Sequence, residues 1–413
     1  MPSRFATARN YMSTKRKSKL NNKKGFVLIM SGLSVCIIFI TAAYLFVYTN
    51  IFSGDYDLSG KNHATSSSAQ VVVVPPPPPT LDKVAYDLKL IQIANYPVVI
   101  VATSTASTTH INVNLSPATS STTFLIASST ATSTAKIPPP KPWPVQTVYP
   151  NYGALLPFNR IVAYYGNFLS TSMGVLGQYP PDEMLRRLAT ATAEWQAADP
   201  TTPAIPAIDY IAVTAQGSAG ADGKYRARMS DTQLDKAVAL ADQVHGIVIL
   251  ELQVGLSDVQ TELPLLEKYL KMPQVHLALD PEFSMHSGAK PGSVIGTMDA
   301  TDINFAANYL AQLVRENNLP PKIIVVHRFT TRMLTNYRQI TPLPEVQMVI
   351  DMDGWSIPQK KVKTYLDVVQ SEPVQFTGFK LFYKNDLAAP VKRMMTPTEV
   401  LKLQPQPSFI QYQ

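Results

Sequence analysis

From Ile161 onward, short apolar runs alternate with segments of helical spacing. Most of the runs are continuously apolar, which is typical of parallel strands covered on both faces. The predicted strands are 161–165, 210–215, 246–252, 275–280, 322–327, 346–351, 378–383 and 408–412. The segments between them carry helix-start signals at Pro181, Ser230, Ser257 and Thr396. The order is therefore strand then helix, repeated along the chain.

Eight strand–helix units within about 250 residues match the number and length of a (β/α)8 TIM barrel, an α/β fold. An open doubly wound sheet is the alternative, but AYYGNFLSTSMG after the first strand lacks the GxGxxG form. We therefore predict that residues 155–413 form the barrel. No helix follows the eighth strand, so we expect residues 146–160 or 81–96 to fill that gap in the outer ring.

Residues 25–48 carry no charge and are long enough as a helix to cross a hydrocarbon core of roughly 30 Å. They predict a transmembrane anchor. The basic tail 1–24 predicts a cytoplasmic N-terminus, which places the barrel outside the cell membrane. The alternatives are a cleaved signal peptide and a lipoprotein signal ending at Cys36, but the long apolar run and the bulky Val35 favour a retained signal-anchor.

Residues 49–154 predict an extracytoplasmic linker of low complexity, rich in Pro, Ser, Thr and Ala. The stretch 71–80 contains five consecutive prolines, and no charged residue occurs from 91 to 135. The segment 81–96 interrupts this composition with helical apolar spacing at Leu81, Val84, Leu88 and Ile91. It predicts a short helix, either docked on the barrel or transient.

The formal charge of +7 comes from the tail, because residues 1–24 carry eight Lys and Arg and no acid. The remaining chain has a net charge near −1, so the pI of about 9.2 does not indicate nucleic-acid binding.

Cys36 is the only cysteine, so we expect no disulfide. HxxxH, HxD and GxSxG spacings are missing, so we predict no metal, no cofactor and no nucleophilic serine, although acids from different strands can gather around a cation.

Polar and aromatic side chains follow the predicted strands, at the barrel end where TIM-barrel active sites form. They are Tyr165, Asn167, Glu251, Gln253, Asp280, Glu282, His327, Asp351, Asp353, Trp355, Lys380 and Tyr383. Residues two apart on a strand share a face, so we expect Asp280 and Glu282 to point the same way. Gathered carboxylates push one another's pKa values apart, as acid–base catalysis needs. Structural ion pairs with Lys380 or Arg328 are the other interpretation.

Several segments of the predicted barrel carry a family resemblance: VAYYGN, YPPDEM, AVTAQGSAG, LELQVGLSD, VHLALDPEFSM, LPPKIIVVHRFT, VIDMDGW and GFKLFYKND. Residues 155–413 resemble an uncharacterised family of exported bacterial proteins in the glycoside-hydrolase-like TIM-barrel superfamily. Asp280-Pro281-Glu282 is similar to the strand-four acids of muramidases and chitinase-like enzymes. The longer acidic run of the chitinase-like group is missing, because His276 and Ala278 stand in its place.

The resemblance implies a membrane-anchored, glycosidase-like protein acting on envelope or extracellular polysaccharide, such as cell-wall glycan. Glu282 is then the general acid, Asp280 orients it or holds a substrate amide, and Asp353 or Glu251 is the second carboxylate. The expected substrate-binding residues are Tyr165, Trp355 and Tyr383 against sugar rings, and Asn167, Gln253, His327, Asp351 and Lys380 at polar groups. A non-catalytic barrel that binds glycan or protein, and a metal-dependent phosphodiesterase, are the alternative functions.

Overall fold

The computed structural model describes residues 80–96, 142–145, 147–387 and 390–413. The predicted cytoplasmic tail, the predicted membrane anchor 25–48 and most of the predicted linker 49–154 lie outside the described residues. Within the described ranges, no helix combines the length and the apolar character needed to cross a membrane.

Eight parallel strands close into a barrel, because the first strand pairs with both the second and the eighth. The barrel strands are β1 (Arg160–Gly166), β2 (Ala204–Ala215), β3 (Ile247–Leu252), β4 (Val275–Leu279), β5 (Lys322–Arg328), β6 (Val346–Met352), β7 (Phe376–Leu381) and β8 (Phe409–Tyr412). Three short strands outside the barrel span Arg226–Arg228, Met298–Asp299 and Leu334–Thr335. The prediction of a TIM barrel from eight apolar runs is confirmed.

Helices connect the strands on the outside of the barrel, and one further helix precedes it. The α-helices are α1 (Lys83–Ala94), α2 (Pro181–Ala198), α3 (Asp231–Gln243), α4 (Val259–Glu262), α5 (Glu267–Leu270), α6 (Ala300–Asn317), α7 (Pro358–Tyr365) and α8 (Pro397–Val400). The helix start predicted at Thr396 is confirmed, because Thr396 and Glu399 form a capping box at α8. The start predicted at Ser257 is wrong by one residue, because the Asp258 side chain caps α4 and Ser257 instead donates to Glu262.

Two apolar layers stabilise this architecture. One lies between the strands and the outer helices and contains buried side chains such as Trp195, Leu240, Leu310 and Val326. The other fills the lower half of the barrel interior, where Ile249, Val325, Phe376 and Phe409 meet. Because the N-terminal half of the interior is apolar, the polar interior residues are confined to the half near the carboxyl ends of the strands.

Helix α1 lies across the N-terminal end of the barrel and does not complete the outer ring. Its buried residues Tyr86, Leu90 and Ile93 join the apolar layer of the barrel interior. Lys89 donates to the carbonyl oxygen of Thr201 just before β2, and Gln406 just before β8 donates its N–H to the carbonyl oxygen of Ile93. The expectation that 81–96 fills a gap between outer helices is therefore wrong.

The other candidate for that gap was 146–160, and its described part, residues 147–160, also packs at the N-terminal end of the barrel. Leu156 is fully buried in the same apolar layer as α1. Its N–H donates to Gln347 of β6, and the Gln347 amide donates back to the Leu156 carbonyl oxygen. The N-terminal end of the barrel is thus closed by chain that precedes β1.

Candidate functional site

The carboxyl ends of the strands surround a pocket of about 600 Å³. The residues predicted from strand ends that line it are Tyr165, Gln253, Asp280, Glu282, Asp353, Trp355 and Lys380. The lining also includes one further cation, Lys360, and apolar side chains, among them Met173, Ile211, Phe283, Phe329 and Phe382. The pocket therefore combines apolar walls with convergent polar groups, as ligand-binding sites commonly do.

Strand β4 ends at Leu279, and Glu282 lies on the tight 3-10 turn that follows it. Asp280 caps this 3-10 turn, and its Oδ1 accepts the Glu282 N–H at 3.0 Å. Gly296 packs on the other side, and its N–H donates to the Glu282 carbonyl oxygen at 2.7 Å. A Cβ at position 296 would lie 2.5 to 2.6 Å from three backbone oxygens of this turn. The backbone of Glu282 is therefore held from both sides.

The Glu282 side chain is the acid in the pocket best suited to donate a proton. Burial raises its pKa to about 7, and the neighbouring carboxylate of Asp353 adds to the effect. No side-chain hydrogen bond involves the carboxyl group within the described part of the chain. A carboxyl group with a pKa near neutrality can be protonated at rest and still release its proton.

Asp280 is buried beneath Glu282 and has a different role. Burial raises the pKa of Asp280 well above its ordinary value, and the nearby Glu251 raises it further. One oxygen holds the Glu282 backbone, and the other lies 3.4 Å from the Gln253 side-chain amide. These contacts fit a residue that orients Glu282.

Asp353 stands in the pocket wall with a cation beside it. Its Oδ1 lies 3.1 Å from the Lys380 ammonium, which also sits 3.8 Å from the centre of the Tyr165 ring. The coulombic influence of Asp353 and other acids outweighs burial and raises the pKa of Lys380. Lys380 therefore stays charged, and the second acid of the pocket is an ion-paired carboxylate.

Glu251, His327 and Asp351 form a floor beneath the pocket and do not line it. All three are buried, and the His327 ring lies between the two carboxylates, with Nε2 at 3.0 Å from Glu251 and Nδ1 at 3.2 Å from Asp351. Burial lowers the pKa of His327, but Glu251 and Asp351 outweigh it and hold the pKa well above its ordinary value. Glu251 connects the floor to the wall by accepting the Tyr165 hydroxyl at 2.9 Å.

Four predicted substrate-binding residues do not line the pocket: His327 and Asp351 lie in the floor, and Asn167 and Tyr383 make contacts elsewhere. Asn167 is buried, and its amide donates to the Ile211 carbonyl oxygen while its oxygen accepts the Leu169 N–H. Tyr383 stacks on Tyr412, outside the pocket. Neither contact was predictable from strand ends, because both residues follow a strand and contact neighbouring segments.

Arg328 is also away from the site acids. Its guanidinium donates to the carbonyl oxygens of Thr331, Leu334 and Val368 and pairs with Glu372. Ion pairing of the site acids by Arg328, one of the two structural interpretations, therefore does not occur. Lys380 does pair with one of them, Asp353.

Trp355 lies on a loop after β6 and is 59% exposed although it lines the pocket. The loop is anchored by Asp386, which accepts the N–H groups of Ser356 and Phe382 and pairs with buried Lys361 at 2.7 Å. A large exposed aromatic ring on an anchored loop is suited to stack on a flat ligand face such as a sugar ring.

The sequence placed Gln411 at the end of the eighth strand but did not point to Asp209, and these two residues extend the floor. Both are fully buried, and the Gln411 amide lies 2.5 Å from Asp209 Oδ2. Asp209 lies inside β2, one residue before the apolar run 210–215, so the predicted strand excluded it. One ligand atom each from Asp209, Glu251 and His327 lie within 4.8 Å of one another, a spacing that could hold a metal ion. Their separation in the sequence leaves no short motif.

Neither the protein-family models nor the curated proteins give a match to this chain. Among solved structures, it is similar to the cellulase Cel5C_n with a TM-score of 0.32 and 13% identity, over 54% of this chain and 65% of the cellulase. It is similar to a hyperthermophilic endo-beta-1,4-glucanase in complex with substrate, with a TM-score of 0.33 and 11% identity, over 62% of this chain and 89% of that one.

A third similar structure is the HPPK-DHPS protein of Plasmodium falciparum with pteroate, with a TM-score of 0.30 and 11% identity, over 62% of this chain and 44% of that one. The chain thus spans less than two thirds of the length of both the cellulase and the HPPK-DHPS protein. At these TM-scores the similarities do not bear on the reaction, which has to be argued from the site itself.

Proposed function

We propose that this protein is a glycoside-hydrolase-like enzyme that cleaves envelope or extracellular polysaccharide in the pocket at the carboxyl end of the barrel. The observation that carries the proposal is the pairing, in one pocket, of a protonatable Glu282 with a second carboxylate, Asp353. Glycosidic bond cleavage commonly uses two carboxyl groups, of which one donates a proton to the leaving oxygen.

In this proposal Glu282 is the general acid and Asp280 positions it through the backbone. Asp353 is the second carboxylate, in preference to Glu251. Glu251 is fully buried and already bonds Tyr165 and His327, so substrate cannot reach it without breaking these contacts. Asp353 lines the pocket, and Trp355 offers a sugar-stacking surface beside it.

A non-catalytic glycan-binding barrel is the second candidate, favoured by one observation. The Asp353 carboxylate is paired with Lys380, as expected of a structural acid. This candidate keeps the same pocket and the same exposed Trp355, and it predicts binding without release of product.

Screening peptidoglycan and common glycans against the barrel with α1 attached, with binding and product release scored separately, tests the two candidates. The change Glu282→Gln keeps the size of the side chain and removes the proton, so we expect product release to fall by roughly 10²- to 10⁴-fold while binding persists. Glu194→Gln is the matched control, because Glu194 is exposed on α2, and this variant should be as active as the wild type.

Equal product release by the wild type and Glu282→Gln on a confirmed substrate would refute the assignment of the general acid. Binding with no product from either protein would instead support the non-catalytic barrel.

A further inference from the structure

The floor and the pocket above it hold more acidic side chains than basic ones. Within the described residues, the acids that face the upper barrel interior are Asp209, Glu251, Asp280, Glu282, Asp351 and Asp353, and the cations among them are His327 and Lys380. Uncompensated buried charge is costly, so such a cluster takes up either protons or a cation.

Three buried oxygen atoms in the floor have no hydrogen-bond partner, namely Asp209 Oδ1, Asp351 Oδ1 and Gln411 Oε1. The Asp209 and Gln411 side chains contact each other only through Asp209 Oδ2 and the Gln411 amide nitrogen. An unpaired buried acceptor costs about 1 to 3 kcal/mol. The floor therefore presents free acceptors as well as an excess of acidic groups, and a bound cation would satisfy both.

The geometry of three side chains matches a small coordination shell. Ligand atoms of Asp209, Glu251 and His327 come from β2, β3 and β5 and lie within 4.8 Å of one another. Zinc ligands sit about 2.0 to 2.2 Å from the ion in tetrahedral geometry, so ligand atoms around it are about 3.3 to 3.6 Å apart. Shifts of less than about 1 Å would complete the shell.

We propose that the barrel floor is a binding site for one divalent transition-metal ion, held by Asp209, Glu251 and His327. One imidazole nitrogen and two carboxylates suit Zn²⁺ and similar ions. Asp351, 3.2 Å from Nδ1 of His327, would fix the ring with Nε2 toward the ion, the usual carboxylate–histidine–metal arrangement. The ion replaces the proton between Nε2 and Glu251.

The proposed ion lies below the pocket, and its binding does not depend on the proposed hydrolytic function. Its effect on the pocket would pass through Glu251, which accepts hydrogen bonds from Tyr165 and Gln253 in the pocket wall. Binding the ion would therefore stabilise the folded barrel and fix these two wall residues, whether or not the pocket cleaves a substrate.

The test measures metal binding by the full chain directly. After incubation with Zn²⁺ and removal of the excess, elemental analysis should find about one ion per chain, and the melting temperature should rise. Replacement by Co²⁺ should give visible absorption bands typical of nitrogen and oxygen ligands. Asp209→Asn should weaken binding by at least about 10-fold, whereas Asp242→Asn, on the exposed surface, should bind like the wild type.

If Asp209→Asn fails to fold, as judged by circular dichroism, the wild-type stoichiometry and the Co²⁺ spectrum still decide the question. A folded wild type that retains no Zn²⁺ and shows no change in melting temperature overturns the proposal and means that protons neutralise the floor. Unchanged affinity in a folded Asp209→Asn variant also overturns it. Loss of glycan cleavage alone bears on the function proposed above and leaves the metal site unaffected.

Discussion

At the scale of single residues, the burial that suits Glu282 to donate a proton should also lower the stability of the folded protein when this residue is charged. Burial raises its pKa from 4.5 to about 7, so the folded protein holds this proton more tightly than the unfolded chain does. Between these two pH values the folded state binds more protons at Glu282, and the stability that this residue contributes falls as the pH rises. The cost of the charged form is fully present above pH 7.

We therefore expect Glu282→Gln to stabilise the protein at about pH 8, by up to about 3 kcal/mol, and to have little effect near pH 4. The free energy of unfolding from urea titrations at the two pH values measures the difference. Glu194→Gln, exposed on α2, should show no such pH dependence. An equal effect of Glu282→Gln at both pH values would contradict a raised pKa.

Residues near the carboxyl ends of the strands were predictable from the sequence, whereas a residue in the middle of a strand was not. Glu282, Asp353, Trp355 and Lys380 line the pocket because polar residues at or just after the carboxyl ends of apolar strands face the barrel mouth. Asp209 could not be placed in this way, because it lies within β2 and its contact with Gln411 of β8 depends on barrel closure. One signal was present: Asp209 is a lone charge beside an otherwise apolar run.

At the scale of elements, the sequence identified α1 as a helix but indicated the wrong face. The spacing of Leu81, Val84, Leu88 and Ile91 predicted the apolar side, yet the last three are 71%, 63% and 63% exposed. The buried side instead carries Tyr86, Leu90, Ile93 and Ala94. Both sides of the helix are partly apolar, so periodicity alone could not decide between them.

Leu90 is buried in the apolar layer of the barrel interior, which predicts that α1 contributes to the stability of the barrel. Leu90→Ala should lower the free energy of unfolding by about 2 to 4 kcal/mol, because it leaves a cavity where the side chain is 7% exposed. Leu88→Ala, on the same helix and 63% exposed, should change it by less than about 0.5 kcal/mol. Chemical denaturation of both variants measures the effect, and equal values would mean that α1 is not docked.

At the scale of the whole molecule, the barrel was predictable because eight parallel strands must be covered on both faces and so appear as continuous apolar runs. The closure of the N-terminal end of the barrel was not. Gln347 looks like an ordinary polar residue in a strand, and only the fold shows that it pairs with Leu156. Contacts between distant segments depend on the three-dimensional path of the chain, which local patterns do not encode.

The predicted anchor gives the molecule a testable location. If residues 25–48 span the membrane, the full chain should remain in the membrane fraction after washing with high salt and with alkaline carbonate, because apolar insertion does not depend on charge. Removal of residues 1–48 should release the protein into the soluble fraction. Replacement of the basic residues in the tail 1–24 by Gln is the control and should leave membrane retention intact, since the apolar segment supplies the insertion energy. Release of the full chain by salt alone would show that the tail, and not the apolar segment, holds the protein at the membrane.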